Sequence, residues 1–257
     1  MTDPILKISN LTKRFGGNTA VSAINLEVMP RETIAIIGPN GAGKTTFYNM
    51  VSGRMTPSNG SVELEGKDIT GLPPHKISRM GVSRSFQLNN IFPEMTVQEN
   101  VEVALTALHG HSRRLFNFAS RNRAVQEEAR QLLDKLHILD LASRRAEVIS
   151  YGDKRLLEIA VVLATRPHLV LLDEPTAGMT PDETRRTTAL IRQLAETGDY
   201  TFLITEHDMD VVFGLADRIL VMHRGENLFF GTPEEVKNHP EVRRAYLGED
   251  EEEEASA

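Results

Sequence analysis

At 257 residues, 40% hydrophobic and 25% charged, the chain is long enough for one sizeable α/β core or two small domains. It contains no cysteine, which excludes disulfides and thiolate metal sites and fits a reducing compartment. A net charge of −7, much of it in the terminal "GEDEEEEASA", argues against a surface that coats nucleic acid. The opening "MTDPILKISN" lacks a charged-then-apolar leader, so no secretory signal is expected there. No stretch reaches the roughly 18 apolar residues of a membrane span, so work at a membrane would need another chain as anchor.

The first third reads as short strands, "ILKIS", "AINLEV", "TIAII" and "SVELE", separated by Gly-, Asn- and Pro-containing turns. Directly after "TIAII" comes "GPNGAGKTT", residues 38–46, followed by a helical run. Gly38, Gly43, Lys44 and Thr45 match Gly-x-x-x-x-Gly-Lys-[Ser/Thr] in the strand–loop–helix context the motif requires. Across Gly38, Pro39, Asn40, Gly41, Ala42 and Gly43 the backbone can wrap a phosphate chain with its N–H groups turned inward. Lys44 can then reach the terminal phosphates and the Thr45 hydroxyl can ligate Mg²⁺, with Thr46 beside it. Further on, Gln87 in "SRSFQLN" follows another strand-like run, where its amide could touch both metal and water.

The middle, roughly 97 to 165, has helical spacing in "VQENVEVALTAL" and "AVQEEARQLLDKL". Between them lies "HGHSRRLFNFASRNR", with four arginines, two histidines and two phenylalanines. It is either a solvated basic loop or a contact with lipid head groups or a membrane subunit. The next helix starts at "VISYGDKRLLEIA". Ser150 and Asp153 fit a Ser-x-x-Asp capping box, but Gly152 in the first turn weakens the helix by about 0.5–1 kcal/mol relative to alanine. Bare backbone at a helix N-terminus suits an anion.

Two buried-strand runs follow, "HLVLLDE" and "YTFLITE", with the helix "DETRRTTALIRQLAE" between them. This alternation predicts a parallel sheet with crossover helices. Asp173 emerges at a strand's carboxyl end, where parallel sheets bind ligands, and can hold Mg²⁺. Glu174, a second acid the metal does not require, suits a general base that polarises the water attacking a γ-phosphate; a helix-capping acid is the alternative. His207 sits just past the next strand, where an imidazole can bond the γ-phosphate and position Glu174. The acids from Glu249 to Glu254 read as a solvated end or an interaction tail.

Phe15, "GPNGAGKTT", Gln87, "ISYGDKR", "LVLLDEP" and His207, in this order, resemble the ATP-binding subunits of ABC transporters over nearly the whole chain. The segments "SYGDKRLLEIA", "DEPTAGMTPDET", "EHDMDVV" and "GTPEEVKNHPEVRRAYLGED" look most like the ATPases of branched-chain amino-acid importers. The resemblance implies an α/β P-loop NTPase core with a β-rich N-terminal subdomain and an inserted helical subdomain. Residues 1–248 would form one nucleotide-binding domain, with the helical part at roughly 89–165 and an acidic tail at 249–257. "ISYGDKR" stands where the family has its signature "LSGGQ", although Tyr151 and Asp153 depart from that pattern. Two subunits would then meet head to tail around two ATP molecules, with Ser150 and the Gly152 N–H facing the γ-phosphate bound by the other copy. Phe15 would stack on adenine; a buried strand-end phenylalanine is the alternative.

The implied cofactors are ATP and Mg²⁺, with Thr45, Gln87 and Asp173 toward the metal. The implied partners are transmembrane permease subunits, a second copy or a similar ATPase, and indirectly a solute-binding protein, without nucleic acid. The implied place is the cytoplasmic face of the membrane, bound peripherally. Competing readings are the ATPase of a lipopolysaccharide or other exporter, and a soluble ABC-type ATPase. The latter usually has two cassettes or long coiled coils, neither of which is present here.

Overall fold

In the computed structural model, residues 3–85, 91–108, 123–197 and 200–247 are described. Strands β1 (Leu6–Phe15) and β2 (Asn18–Val28) run further than the sequence suggested. They pair antiparallel, with register shifts between Ile8 and Leu11 and again before Arg14. Such bulges interrupt the inside–outside alternation by which a strand is read from sequence. Strand β4 (Asn59–Leu64) joins the other side of β1, and the short β5 (Lys67–Asp68) completes a sheet of order β2-β1-β4-β5.

The second sheet contains β3 (Thr33–Ile37), β6 (Val82–Arg84), β7 (Leu169–Asp173), β8 (Thr201–Thr205), β9 (Arg218–His223) and β10 (Glu226–Gly231), in the order β10-β9-β3-β8-β7-β6. All its pairings are parallel except that of β10 with β9. Every residue of β3 and β8 is buried, as the near-continuous apolar runs of a sheet covered on both faces require.

Helix α1 (Lys44–Val51) follows β3, and α2 (Pro74–Arg79) precedes β6. Helices α3 (Val97–Leu108), α4 (Arg123–Lys135) and α5 (Tyr151–Leu163) lie between β6 and β7 in sequence. Helix α6 (Pro181–Glu196) crosses from β7 to β8, and α7 (Met209–Leu215) and α8 (Pro233–Asn238) come later. Residues of β7 alternate between two cores, because successive strand side chains face opposite ways. Leu169 and Leu171 join the antiparallel sheet and α1, whereas Val170 and Leu172 join α3, α4, α5 and α6. Ala35 and Ile37 of β3 pack instead with α7, β9 and α8.

This topology aligns β3, β8, β7 and β6 side by side and in parallel, so their carboxyl ends open on one edge. The segments that leave that edge carry the residues singled out in the sequence.

Candidate functional site

The loop leaving β3 is shaped by what surrounds it. A Cβ at Gly38 would lie 2.1 Å from the Met222 carbonyl oxygen, and one at Gly43 2.5 Å from that of Ala20. Gly43, left-handed at φ 100°, is the N-cap of α1, and no side chain caps this helix. Its first-turn N–H groups and the positive end of its dipole therefore face a cavity of about 220 Å³. Ala20, Asn40, Gly41, Ala42, Gly43, Lys44, Thr45, Thr46, Glu174 and His207 line it. That volume is below the roughly 300–1,000 Å³ of a drug-sized ligand pocket and suits a phosphate chain, leaving a base to lie outside.

Lys44 is buried, and its ammonium donates to the carbonyls of Gly38 and Pro39 at 2.5 and 3.2 Å. Burial pushes its pKa below the ordinary value, while Glu174 and Asp173 pull in the opposite direction. Phe15 ends β1 as a residue 49% exposed, which overturns the reading of a buried strand-end side chain. Lys13 Nζ lies 5.3 Å from the ring centroid. A large apolar face left in water is available for stacking.

Asp173 closes β7. Its Oδ1 accepts from the Thr205 hydroxyl at 2.6 Å and its Oδ2 from Arg84 at 2.8 Å. Arg84, at the end of the neighbouring β6, also donates to Asn49 Oδ1 on α1 and to Oγ of Ser52, the residue that caps that helix at its C-terminus. Glu174 follows with φ 47°, a region that non-glycine residues enter at a cost of about 1–3 kcal/mol. Its N–H is held by the carbonyl and hydroxyl of Thr205, at 3.0 and 3.2 Å. The bend turns Glu174 toward His207, whose Nε2 lies 2.9 Å from Glu174 Oε1. The next helix begins with Thr180 as its cap, so the helix-capping reading of Glu174 is set aside.

Behind this pair, buried Glu206 accepts from the N–H and hydroxyl of Thr176 and from the His207 N–H. It ties the loop after Glu174 to the loop carrying His207. Thr205, Glu206 and Arg84 were not picked out in the sequence. Glu206 carried a signal, an acid ending an otherwise apolar strand run, whereas Arg84 and Thr205 carried none.

The turn at 150–153 lies on α5. Ser150 is the N-cap and accepts from the Asp153 N–H at 3.1 Å. The reciprocal bond of a capping box is replaced. Asp153, one methylene shorter than glutamate, meets the Ser150 hydroxyl at 2.9 Å instead of the backbone. The Gly152 N–H donates to Glu183 Oε1 at 3.1 Å, and a Cβ at Gly152 would lie 2.6 Å from that oxygen. Within one chain, the anion at this helix end is therefore the Glu183 carboxylate, which sequence reasoning missed. Gln87, most of the basic stretch 109–123 and the acidic run 249–254 lie outside the described residues. Among the described residues no helix is long and apolar enough to cross a membrane.

Comparison with known proteins follows the same lines. The family model for ABC transporters matches residues 21–177, and that for branched-chain amino acid ATP-binding cassette transporters matches 226–252. The high-affinity branched-chain amino acid transport ATP-binding protein BraF of Pseudomonas aeruginosa is 43% identical over 257 residues, spanning 97% of this chain and 100% of that one. LivG of Escherichia coli, with the same printed function, is 42% identical over 254 residues, with 97% and 100% covered. An ATP-binding cassette of an ABC transporter solved in its ADP conformation superposes with a TM-score of 0.85 at 31% identity, covering 96% of this chain and 100% of that one. A nucleotide-free cassette gives a TM-score of 0.82 at 30% identity, with 96% and 100% covered. Similarity of this extent, carried from end to end through one fold, makes the chain a member of the ABC transporter family, one of its ATP-binding, ATP-hydrolysing subunits.

Proposed function

We propose that this chain is the ATPase of a membrane importer for branched-chain or other hydrophobic amino acids. It works as a head-to-tail pair, with itself or a similar ATPase, enclosing two ATP molecules. Residues 1–248 act as one nucleotide-binding domain, with a helical subdomain at about 89–165 and an acidic tail at 249–257. Transmembrane permease subunits hold it at the cytoplasmic face, and a solute-binding protein delivers solute to them. The printed names of its relatives and the C-terminal match at 226–252 support the solute class.

The observation that carries the chemistry is the Glu174–His207 bond of 2.9 Å at the mouth of the phosphate-loop cavity. Lys44 and the N–H groups of 38–46 hold the β- and γ-phosphates, and Phe15 stacks on the base. Glu174 polarises the attacking water, and His207 orients Glu174 and bonds the γ-phosphate. The donor set of one carboxylate, one hydroxyl and one amide suits a hard cation, so Thr45, Asp173 and Gln87 would hold Mg²⁺. When bound, the ion neutralises charge that develops on the phosphates. Ser150 and the Gly152 N–H serve the ATP of the other copy.

Glu174→Gln with Ser150→Arg tests this reading. Glutamine is nearly isosteric but a poor base, so hydrolysis should fall by about 10²–10⁴-fold while ATP still binds. The dimer should then accumulate with ATP and Mg²⁺, since its ligand is no longer consumed. Adding Ser150→Arg should disperse it, because the long side chain blocks the turn. Light scattering decides: a Glu174→Gln chain that stays monomeric with its membrane partner supplied, or a double variant that remains dimeric, refutes the shared site.

A further inference from the structure

The donors expected to grip a second copy's phosphate are already engaged in the lone chain. The Gly152 N–H is bonded to Glu183 Oε1 at 3.1 Å. The single Ser150 hydroxyl proton lies between Asp153 Oδ2 at 2.9 Å and Glu183 Oε1 at 3.4 Å. The Asp153 N–H is spent on Ser150 Oγ. Glu183 has a separate duty to α6, which it performs with its other oxygen. Its Oε2 accepts from the Thr180 N–H and hydroxyl at 3.0 and 2.9 Å, completing a capping box. The capping box therefore leaves Oε1 free, and Oε1 is the oxygen aimed at α5.

Gly152 belongs to the same arrangement, since any side chain there would meet Glu183 at 2.6–2.9 Å. Tyr151 adds a second tie. Its ring lies 3.4–3.5 Å from where a Cβ of Gly178 would stand, in the loop between Glu174 and α6. The hydrogen bonds of Thr180, Gly152 and Ser150 hold the Glu183 carboxyl below its ordinary pKa, so it is an anion at neutral pH.

We infer that Glu183 is an internal stand-in for the partner's phosphate: its carboxylate occupies the Ser150–Gly152 turn in the lone chain and must let go of it before ATP bound by a second copy can be gripped. This rests on the shared-site reading above. A carboxylate and a phosphate compete for the same N–H and O–H donors, and two anions cannot share them without repulsion. The contact therefore opposes ATP-driven pairing while leaving the chain's own phosphate loop untouched.

The test measures the ATP concentration that half-saturates dimerisation, by light scattering with Mg²⁺, in the Glu174→Gln background. Glu183→Gln keeps the capping box, which accepts glutamine at this position, but removes the charge. Glu183→Asp keeps the charge but draws it back from Gly152 by one methylene. Each folded variant should lower the midpoint by about three-fold or more, with ATP affinity of the monomer unchanged. A contact that merely braced the turn would do the opposite and raise the midpoint. An unchanged or raised midpoint in a folded variant, beside a Glu174→Gln chain that dimerises, overturns the inference alone. If Glu174→Gln itself never dimerises, the shared-site reading falls and takes the inference with it.

Discussion

Replacing Arg84 by methionine should destabilise the fold by about 3 kcal/mol. The Arg84 guanidinium donates to Asp173 Oδ2 at 2.8 Å, to Asn49 Oδ1 at 2.8 Å and to Ser52 Oγ at 3.1 Å, with the Tyr48 ring centroid 5.4 Å away. Methionine keeps much of the buried stem's volume but supplies none of these bonds. Breaking a buried ion pair by removing one partner costs about 3–5 kcal/mol, because the other charge is left uncompensated. The lower end applies here. The Asp173 side chain is 23% exposed, so water can reach it, and it retains the Thr205 hydroxyl. Ser52 likewise retains its bond to the Tyr48 carbonyl. With a urea m-value of about 2–3 kcal/mol/M for a chain of this size, the unfolding midpoint should drop by about 1–1.5 M at constant m. Arg84→Lys, which keeps the charge but not the fork, should recover only part of the loss. A midpoint within about 0.3 M of the parent for Arg84→Met would refute the claim that this pair braces β6 against β7.

Lys44→Ala should weaken ATP binding by about 10²-fold or more, since about two charge-assisted bonds of 1.5–3 kcal/mol each are lost. Micromolar affinity measured by equilibrium dialysis in this variant would count against the phosphate-loop assignment. Glu183 also gives a pH signature in the monomer. Its folded-state pKa is depressed, so its stabilising contribution is present above the unfolded carboxylate value of about 4.3 and is lost as pH falls through the lower folded value. Glu183→Gln should therefore be less stable than the parent at pH 7, with the urea-midpoint difference shrinking below about pH 4. A difference that stays constant with pH would refute that assignment.

Much of the fold was legible because its signals are local. The helical spacing of "VQENVEVALTAL" coincides with α3 at Val97–Leu108, since one apolar stripe requires one period. The runs "HLVLLDE" and "YTFLITE" contain β7 and β8, whose burial on both faces leaves no polar alternation to confuse them with exposed strands. By contrast, the register shifts of β1 concealed the far half of its hairpin. The β9–β10 hairpin and α7 also went unread.

The sequence by itself determined that a phosphate-loop motif stands between a strand and a helix, because Gly38 and Gly43 before Lys44 and Thr45 form a local pattern. It also determined that Asp173 closes a strand while Glu174 and His207 lie just past strand ends, and a parallel sheet gathers such ends on one edge. Only the tertiary structure decided what those residues touch. Arg84 reaches Asp173 across 89 positions because β6 lies beside β7, and Thr205 reaches it across 32 because β8 lies on the other side. Glu183 meets Gly152 across 31 positions because α5 and α6 pack against each other. A glycine in a helix's first turn announces that something must approach closely; which carboxylate does so depends on the packing of helices distant in sequence.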